Sequence, residues 1–450
     1  MSHSNSTEIS GWGRYPRVRA HTVAPGTTEE LTKIDGRRRI ARGQGRSYGD
    51  AALLSDGLVI ITDKLSKISS WDRTQGLLTA ESGMTLAEIL QAPETRGWFP
   101  SVVPGTKQVS LGGAVAADIH GKNHHRVGSF GNHVIDLEIL TAGGDLVTCS
   151  PKWRPEFFWA TVGGMGLTGI ITRVTVRLIP NETEYMVVKH VPTKNLDEAL
   201  ELSESSDYDD EYSVVWLDCV ARPRTLGRGV FISGHHAKLD ELPVKFRSRQ
   251  SSPPKVRRVP FDFPRWLLNQ FTVGVFDDLY YWRQGRRRSP FISDYDSFFF
   301  PLDRIGDWNR MYGSRGFIQY QSVLPTQTAV KGLNAMLRHL LKRGRSSYLT
   351  VLKRFGPENK GLLSFPTEGY TLTFDFPVEP DLFPFLDDLD QIVLEHGGRV
   401  YLAKDARMSR EVFSQMYPGL GEWLRLKSEL DPQNIFSSDL SRRLGLGSFS

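Results

Sequence analysis

The sequence predicts an α+β protein of two domains, the second built on an antiparallel sheet. A chain of 450 residues exceeds what one hydrophobic core usually organises. Its first part alternates short apolar runs with glycine-rich turns, whereas its middle spaces strands with amphipathic helices. Pro180-Asn181 stands between the two textures as a break.

Taken in order, residues 58–62 and 77–80 read as short strands and 85–91 as a helix. Residues 134–141 and 145–149 flank Ala142-Gly143-Gly144 as a hairpin. The stretch 170–178 alternates Ile/Val with Thr/Arg, as a half-buried strand does. Beyond the break, 184–191 and 213–220 are expected strands, and acidic residues 201–211 a solvated helix end and loop. Residues 250–258 carry Ser-Ser-Pro-Pro and several cations, an exposed loop. Residues 317–323, 348–352 and 370–376 are expected in one antiparallel sheet, with amphipathic helices over 326–343 and 384–396. After Gly398 the chain is expected to return to the first domain, with a helix near 409–417 and a tail over 430–444. The expected division is therefore 1–183, 184–398 and a returning 399–450.

Hydrophobic content of 39% and charged content of 24% are ordinary for a globular protein, and a net charge of +5 favours an anionic ligand or surface only mildly. Cys149 and Cys219 are the two cysteines, which excludes a disulfide framework and a cysteine metal cluster. Residues 1–10 lack the charged and apolar regions of a signal peptide, and no apolar run reaches membrane-spanning length. A cytoplasmic or peripheral membrane protein in a reducing compartment is expected.

Ala41-Arg42-Gly43-Gln44-Gly45-Arg46-Ser47-Tyr48-Gly49-Asp50-Ala51 follows the apolar Ile40. Its glycines let backbone amides approach an anion, and Ser47 adds a hydroxyl donor, so a pyrophosphate suits it. The spacing matches neither a Rossmann turn nor a Walker loop, and by itself a tight inter-strand loop explains it equally well. A second stretch runs from Val103 through Gly105, Ser110, Leu111, Gly112 and Gly113 to Ala117-Asp118-Ile119-His120 and His125. A third spans Gly163-Gly164-Met165-Gly166 to Ile171. Three such segments ahead of one boundary imply close backbone approach to a ligand.

In this order the segments resemble the FAD-binding domain of the vanillyl-alcohol-oxidase, or PCMH, type of flavoproteins. More narrowly, His120-Gly-Lys-Asn-His-His125 followed by Gly128-Ser-Phe-Gly-Asn-His133 is similar to the decaprenylphosphoryl-ribose 2-oxidase family, related to aldonolactone oxidases. The resemblance continues through Gly11-Trp-Gly-Arg14, Phe158-Trp-Ala-Thr-Val-Gly-Gly164, Asp307-Trp-Asn-Arg310, Gln319-Tyr-Gln321, Leu363-Ser-Phe-Pro366, Tyr401-Leu-Ala-Lys-Asp405 and Asp431-Pro to Phe436. It implies a two-domain PCMH-type FAD-binding fold with an antiparallel-sheet substrate domain. The implied enzyme oxidises the 2'-hydroxyl of a polyprenyl-phosphate ribofuranose to a ketone. A partner short-chain reductase then completes epimerisation to the arabinose used in cell-wall arabinan. By position, the implied FAD contacts are residues 41–51, Gly105, Ser110, Leu111, Gly112, Gly113, Ala117, Asp118, Ile119, His120, Ile171 and Tyr401. Covalent relatives place a histidine just before the serine of the first loop; Arg46 stands there, so non-covalent FAD is expected.

Lys404 corresponds to the family's active-site lysine, a cation suited to negative charge developing on the ring during hydride transfer. By residue type alone it is equally a surface lysine after a strand. His120, between an apolar run and a glycine, and Tyr48, in the first loop, complete the catalytic candidates, although either residue type more often packs. Lys122, Gln319, Gln321, Lys353, Thr371, Thr373 and Phe299 are the substrate-binding candidates. Gln319 and Gln321 share one strand face, which suits sugar hydroxyls or simply solvent. Lys353 within Val351-Leu352-Lys353-Arg354-Phe355 suggests an anionic partner such as phosphate. Thr373 stands where mycobacterial members carry the cysteine attacked by nitroaromatic inhibitors, and Phe299 where a pocket tyrosine is expected. His124, His125 and His133 lack zinc-type partners, so no metal is expected.

Residues 246–294 combine cations such as Lys255, Arg257, Arg258 and Arg286-Arg287-Arg288 with Trp266, Leu267, Leu268, Tyr281 and Trp282. Such a stretch suits a flexible lid at an anionic membrane surface, with a solvated loop as the plain alternative. No nucleic-acid-binding module surrounds it, so no nucleic-acid partner is expected. Two other functions compete with the leading one: a soluble aldonolactone or free-sugar oxidase, and a flavin-binding subunit without turnover of its own.

Overall fold

A computed structural model describes residues 5–34, 36–205, 210–219, 226–247, 255–264, 267 and 269–447. Near the N-terminus, Asn5–Ser10, Arg17–Val23, Leu58–Ile61 and Arg39–Arg42 form a four-stranded sheet in that order. Leu58–Ile61 pairs in parallel with a neighbour on each side, which buries Ile40, Val59 and Ile60 completely. The first glycine loop therefore leaves from a fixed strand end at Arg42.

A second sheet orders Ile68–Asp72, Leu77–Glu81, Ile170–Pro180, Val134–Leu140 and Leu146–Cys149, with Trp98–Pro100 pairing on the end of Ile170–Pro180. The alternating strand runs to Pro180 itself, so the expected break falls at its last residue. Residues 142–144 close the expected hairpin, where Leu140 faces Leu146. The helix Leu86–Gln91 starts from Thr85, whose side chain accepts from the Glu88 amide while the Glu88 carboxylate accepts from the Thr85 amide.

The third sheet is antiparallel and eight-stranded. Its order is Phe291–Asp294, Tyr185–Thr193, Gly229–His236, Tyr212–Leu217, Val351–Phe355, Gly369–Pro377, Phe317–Pro325 and Arg399–Val400. The helix Thr326–Lys342 packs on it through Ala329, Leu333, Met336, Leu337 and Leu340, all on one face. Leu382–Glu395 packs beside it.

Some expected elements move. The strand expected over 348–352 lies at Val351–Phe355, because the preceding residues are committed elsewhere. The Ser347 hydroxyl accepts from the Asp375 amide, the Tyr348 ring stacks on Phe276, and Thr350 Oγ1 contacts Cys219 Sγ at 2.7 Å. Lys353 thereby becomes the central residue of a strand. The strand expected over 213–220 is Tyr212–Leu217, and Val220 lies outside the described residues. In the acidic stretch, a helix ends at Ser205, and 206–209 lie outside the described residues. Of the loop expected over 250–258, residues 250–254 lie outside them, while Arg257–Arg258 pairs in parallel with Ile305–Gly306. The basic aromatic stretch holds a 16-residue helix, Gln270–Gly285, capped by Asn269; Trp266 and Leu268 lie outside the described residues. No helix among the described residues is long and apolar enough to cross a membrane.

After Val400 the chain packs against the first sheets. Trp423 Nε1 donates to the Ala160 carbonyl, and the Ser437 amide to that of Arg39. From the helix Asp439–Leu444, Arg443 makes two hydrogen bonds to Asp50, at 3.0 and 2.8 Å, and one of 2.8 Å to Asp405. Both carboxylates are buried. Arg443→Met leaves two buried carboxylates unpaired, and urea unfolding is expected to show a loss of about 3–5 kcal/mol.

Candidate active site

The glycine segments meet. A Cβ on Gly43 would lie 2.1 Å from Ser110 Oγ, so only glycine lets the first loop touch the second. Ser110 caps the helix Leu111–Ala116, and the Gly112 amide donates to the Ser82 carbonyl. At the other end of that helix, the Gly163 amide donates to Val115 and the Met165 amide to Ala116, which seats the third segment. Around the first loop, a Cβ on Gly49 would come within 1.8 Å of the Asp405 carbonyl oxygen, and the Tyr48 amide donates to Ala403. Among the described residues, the amides of Gly43, Gln44, Gly45, Arg46 and Ser47 have no protein acceptor. Open space faces Gly105. A run of free amides beside bare backbone fits a pyrophosphate.

The neighbouring face of the eight-stranded sheet is polar. Cross-strand register pairs Gln319 with Asp375, Gln321 with Thr373, and Lys353 with Thr371, placing these side chains on one side. Gln319 Nε2 donates to Asp375 Oδ1 at 2.7 Å, and the Tyr312 hydroxyl to Oδ2 at 3.0 Å. Gln321 Nε2 lies 3.1 Å from Thr371 Oγ1 and 3.0 Å from His120 Nε2. That contact makes Nε2 the acceptor and leaves the ring hydrogen on Nδ1, which is buried and has no acceptor among the described residues. An orphaned buried donor of this kind fits an oxygen of a bound group. The His120 ring is wedged among Phe355, Phe365 and Tyr401, and the Tyr401 hydroxyl donates to Ala117 at 2.7 Å.

The electrostatics of this crevice are unbalanced. Lys404 Nζ lies 3.6 Å from the centroid of the Tyr48 ring. Burial, with the neighbouring Lys353 charge, brings Lys404 down to about 7 even though Asp375 opposes the shift. Burial and the same Lys353 charge bring Lys122 to about 7, and burial alone brings Lys353 to about 8. Asp375, the carboxylate facing them, is raised to about 6 by burial against its hydrogen bonds from Gln319 and Tyr312 and the charge of Lys404. Burial and the Lys353 charge push His120 well below its usual range, so its ring is neutral. Lys353 has neither hydrogen bond nor ion pair among the described residues. Excess buried positive charge of this kind is relieved by an anion.

The structure thus gathers His120, Tyr48, Lys404, Lys353, Gln319, Gln321, Thr371 and Thr373. Lys122 joins them through its charge, its ammonium held 2.5 Å from the Phe298 carbonyl and over the Phe298 ring. Phe299 stands apart, 1% exposed among Phe99, Tyr212 and His236; its neighbour Phe298 is the one that meets Lys122. Several expected cofactor contacts have side chains engaged within the protein. Asp118 accepts from Ser129, Gly131, Asn359 and Ser364, Asp50 binds Arg443, Arg42 donates to Ser10, and Ile171 and Leu111 are core residues. Arg46 lies over the Trp12 ring at 4.2 Å. Asp375 and Tyr312 escaped the sequence reading. An acid two positions beyond Thr373, on the same face of an otherwise apolar strand, was the available signal.

Loops that fit a dinucleotide, set against a cationic, polar sheet face, suit an FAD-dependent oxidoreductase. Residues 20–150 match the FAD binding domain family, and 375–444 match D-arabinono-1,4-lactone oxidase. The chain is 41% identical to the decaprenylphosphoryl-β-D-ribose oxidase of Mycolicibacterium smegmatis, over 98% of each chain. It is 33% identical to an uncharacterised protein of Streptomyces coelicolor, over 81% of this chain and 100% of that one. It is 22% identical to the L-gulonolactone oxidase of Scyliorhinus torazame, over 92% of each. The protein belongs to the decaprenylphosphoryl-β-D-ribose oxidase family.

The depressed lysines give the flavin-free protein a pH signature. From about 7 up to the usual lysine value, the unfolded chain binds a proton at position 404 that the folded chain has released, so stability rises with pH there. Lys404→Met removes this contribution. Urea unfolding of flavin-free protein at about pH 7 and about pH 10 is expected to show a larger gain for wild type than for the variant, and equal gains would contradict the assignment.

Proposed function

We propose that this protein oxidises the 2'-hydroxyl of decaprenylphosphoryl-β-D-ribofuranose, or a close lipid-linked sugar, to the 2'-keto form, with FAD as the oxidant. One observation carries the reading: three half-buried lysines share a crevice with a single facing carboxylate, beside a row of amide and hydroxyl side chains. A phosphate monoanion or diester balances that charge, and a neutral lactone does not. FAD, when bound, accepts the hydride. The amides of residues 43–47 and the backbone around Gly105 and Ser110–Gly113 hold its phosphates. Lys404 places positive charge beside the ring, Tyr48 holds that lysine from below, and Lys353 with Lys122 takes the substrate phosphate. Gln319, Gln321 and Thr371 orient the sugar. His120 donates from Nδ1 to an oxygen at the reaction centre, its neutral ring avoiding a further cation in the crevice.

In this reading residues 1–183 with 399–450 bind the cofactor, and 184–398 bind the substrate. A reductase returns the ketone to the epimeric alcohol, and the lipid substrate is met at a membrane surface. FAD is held without a covalent bond, since Arg46 occupies the linking position and packs on Trp12. Acid precipitation is therefore expected to leave the yellow colour in the supernatant; a coloured pellet would contradict this.

Anaerobic titration tests the function. Polyprenyl-phosphate ribose is expected to bleach the oxidised flavin band, while L-gulono-1,4-lactone at equal concentration leaves it. Lys404→Met is expected to slow bleaching by roughly 100-fold or more, the scale of losing one electrostatic contact at a reaction centre. Equal bleaching by the lactone would favour an aldonolactone oxidase, and bleaching by neither a non-catalytic flavin protein.

A further inference from the structure

The helix Gln270–Gly285 is amphipathic in the wrong sense for a core element. Phe271, Val275, Leu279 and Trp282 lie within an arc of about 80° at 3.6 residues per turn. Their exposures are 78%, 53%, 59% and 54%. On the opposite side, Val273 and Asp277 are the fully buried positions, with Tyr280 against Trp216 and Phe276 against Tyr348. An apolar stripe facing outward along about three turns of one helix marks a surface that another body covers.

The charge around the stripe says what that body is. Arg283, Arg286, Arg287 and Arg288 close the C-terminal end. Arg286 falls on the apolar stripe itself, its guanidinium 4.3 Å over the Trp282 ring, an arrangement that covers one face of the aromatic and leaves the charge at the rim. Arg283, Gln284 and Arg287 line a hollow of about 400 Å³ beside it. Asp278, the acid at the stripe's edge, is paired with Arg228. Apolar side chains flanked by cations at headgroup depth are complementary to an anionic bilayer.

We infer that the helix Gln270–Gly285 is the membrane-docking face of this protein, inserting Phe271, Val275, Leu279 and Trp282 into the interface of an anionic bilayer while Arg283, Arg286 and Arg287 engage lipid phosphates. The inference rests on the lipid-linked substrate reading and names the surface that reading requires. It also explains why the stripe is not folded inward. The docked state supplies the burial that the isolated chain lacks.

Vesicle flotation of the flavin-loaded protein tests it. Wild type is expected to float with phosphatidylglycerol-containing vesicles, to release in high salt, and to ignore pure phosphatidylcholine vesicles. Leu279→Asp with Trp282→Asp is expected to weaken binding by roughly tenfold or more, and Arg283→Gln with Arg286→Gln to weaken it and remove the salt dependence. Both variants should keep their flavin and its bleaching by a short-chain, detergent-dispersed phosphoribose, since neither pair belongs to the crevice. Wild type that floats with no vesicles, or variants that float like wild type, would overturn the inference. So would a variant whose only change is from dimer to monomer in sedimentation, because the stripe would then join two copies. If vesicle binding follows the stripe but no phosphoribose bleaches the flavin, docking stands and the substrate reading falls.

Discussion

The reach of Arg443 to Asp50 and Asp405 is the contact on which the rest of the active region depends. Asp50 ends the first glycine loop, and Asp405 follows Lys404 by one residue, so one guanidinium fixes both against each other. Gly49 then fits against the Asp405 carbonyl, and the Tyr48 amide reaches Ala403. Tyr48 can lie beneath Lys404 only because these backbones are pinned at such close range. The guanidinium comes from a helix whose N-cap, Ser438, lies next to the Ser437 that is tied to Arg39. The C-terminal tail thus packs into the same region as the glycine loops that precede it by hundreds of positions. A planar donor fork between two buried carboxylates is strong because every oxygen facing it is already dehydrated.

The crevice bounded by that tie is built at a cost in stability. The Lys353 charge acts on both Lys122 and Lys404, and among the described residues Asp375 is the carboxylate that opposes it at Lys404. A set of neutral side chains would fold more tightly. Retaining the cations makes sense where a ligand later brings negative charge into a site that water has largely left. The same reasoning accounts for His120, whose depressed basicity keeps a fourth cation out while its free Nδ1 hydrogen remains available.

Much of this was legible in the sequence, for reasons that differ by element. Gly43, Gly49 and Gly112 announced themselves because close backbone approach tolerates no side chain, and the structure sets them against Ser110, Asp405 and Ser82. Gln319 and Gln321 could be placed on one face from strand periodicity alone. The strand of Lys353 was misplaced by three residues because Tyr348 and Leu349 are apolar enough to extend it, whereas tertiary contacts with Phe276, Asp375 and Cys219 decide the boundary. Asp375 was overlooked because an acid in a strand carries no motif; its meaning comes from Gln319 and Tyr312, more than fifty residues away in sequence. Asp118 presents the converse case, a residue inside a glycine-rich motif whose carboxylate accepts from Ser129 and Gly131 nearby and from the distant Asn359 and Ser364.

The glycine loops and the polar sheet face are also separated along the chain. The two stretches that match known families, 20–150 and 375–444, carry the first two glycine loops, His120, Lys404 and the Asp50 and Asp405 that Arg443 joins. Gln319, Gln321, Lys353, Thr371 and Thr373 fall between them, on three adjacent strands. The glycine loops and the sheet face meet at the Gln321–His120 contact, at the Tyr401 amide, which donates to the Gln321 carbonyl, and in the field that Lys353 and Asp375 exert on Lys404. Lys353 lies on the sheet face, so a substitution there changes the charge of the crevice while leaving the contacts between the glycine loops in place.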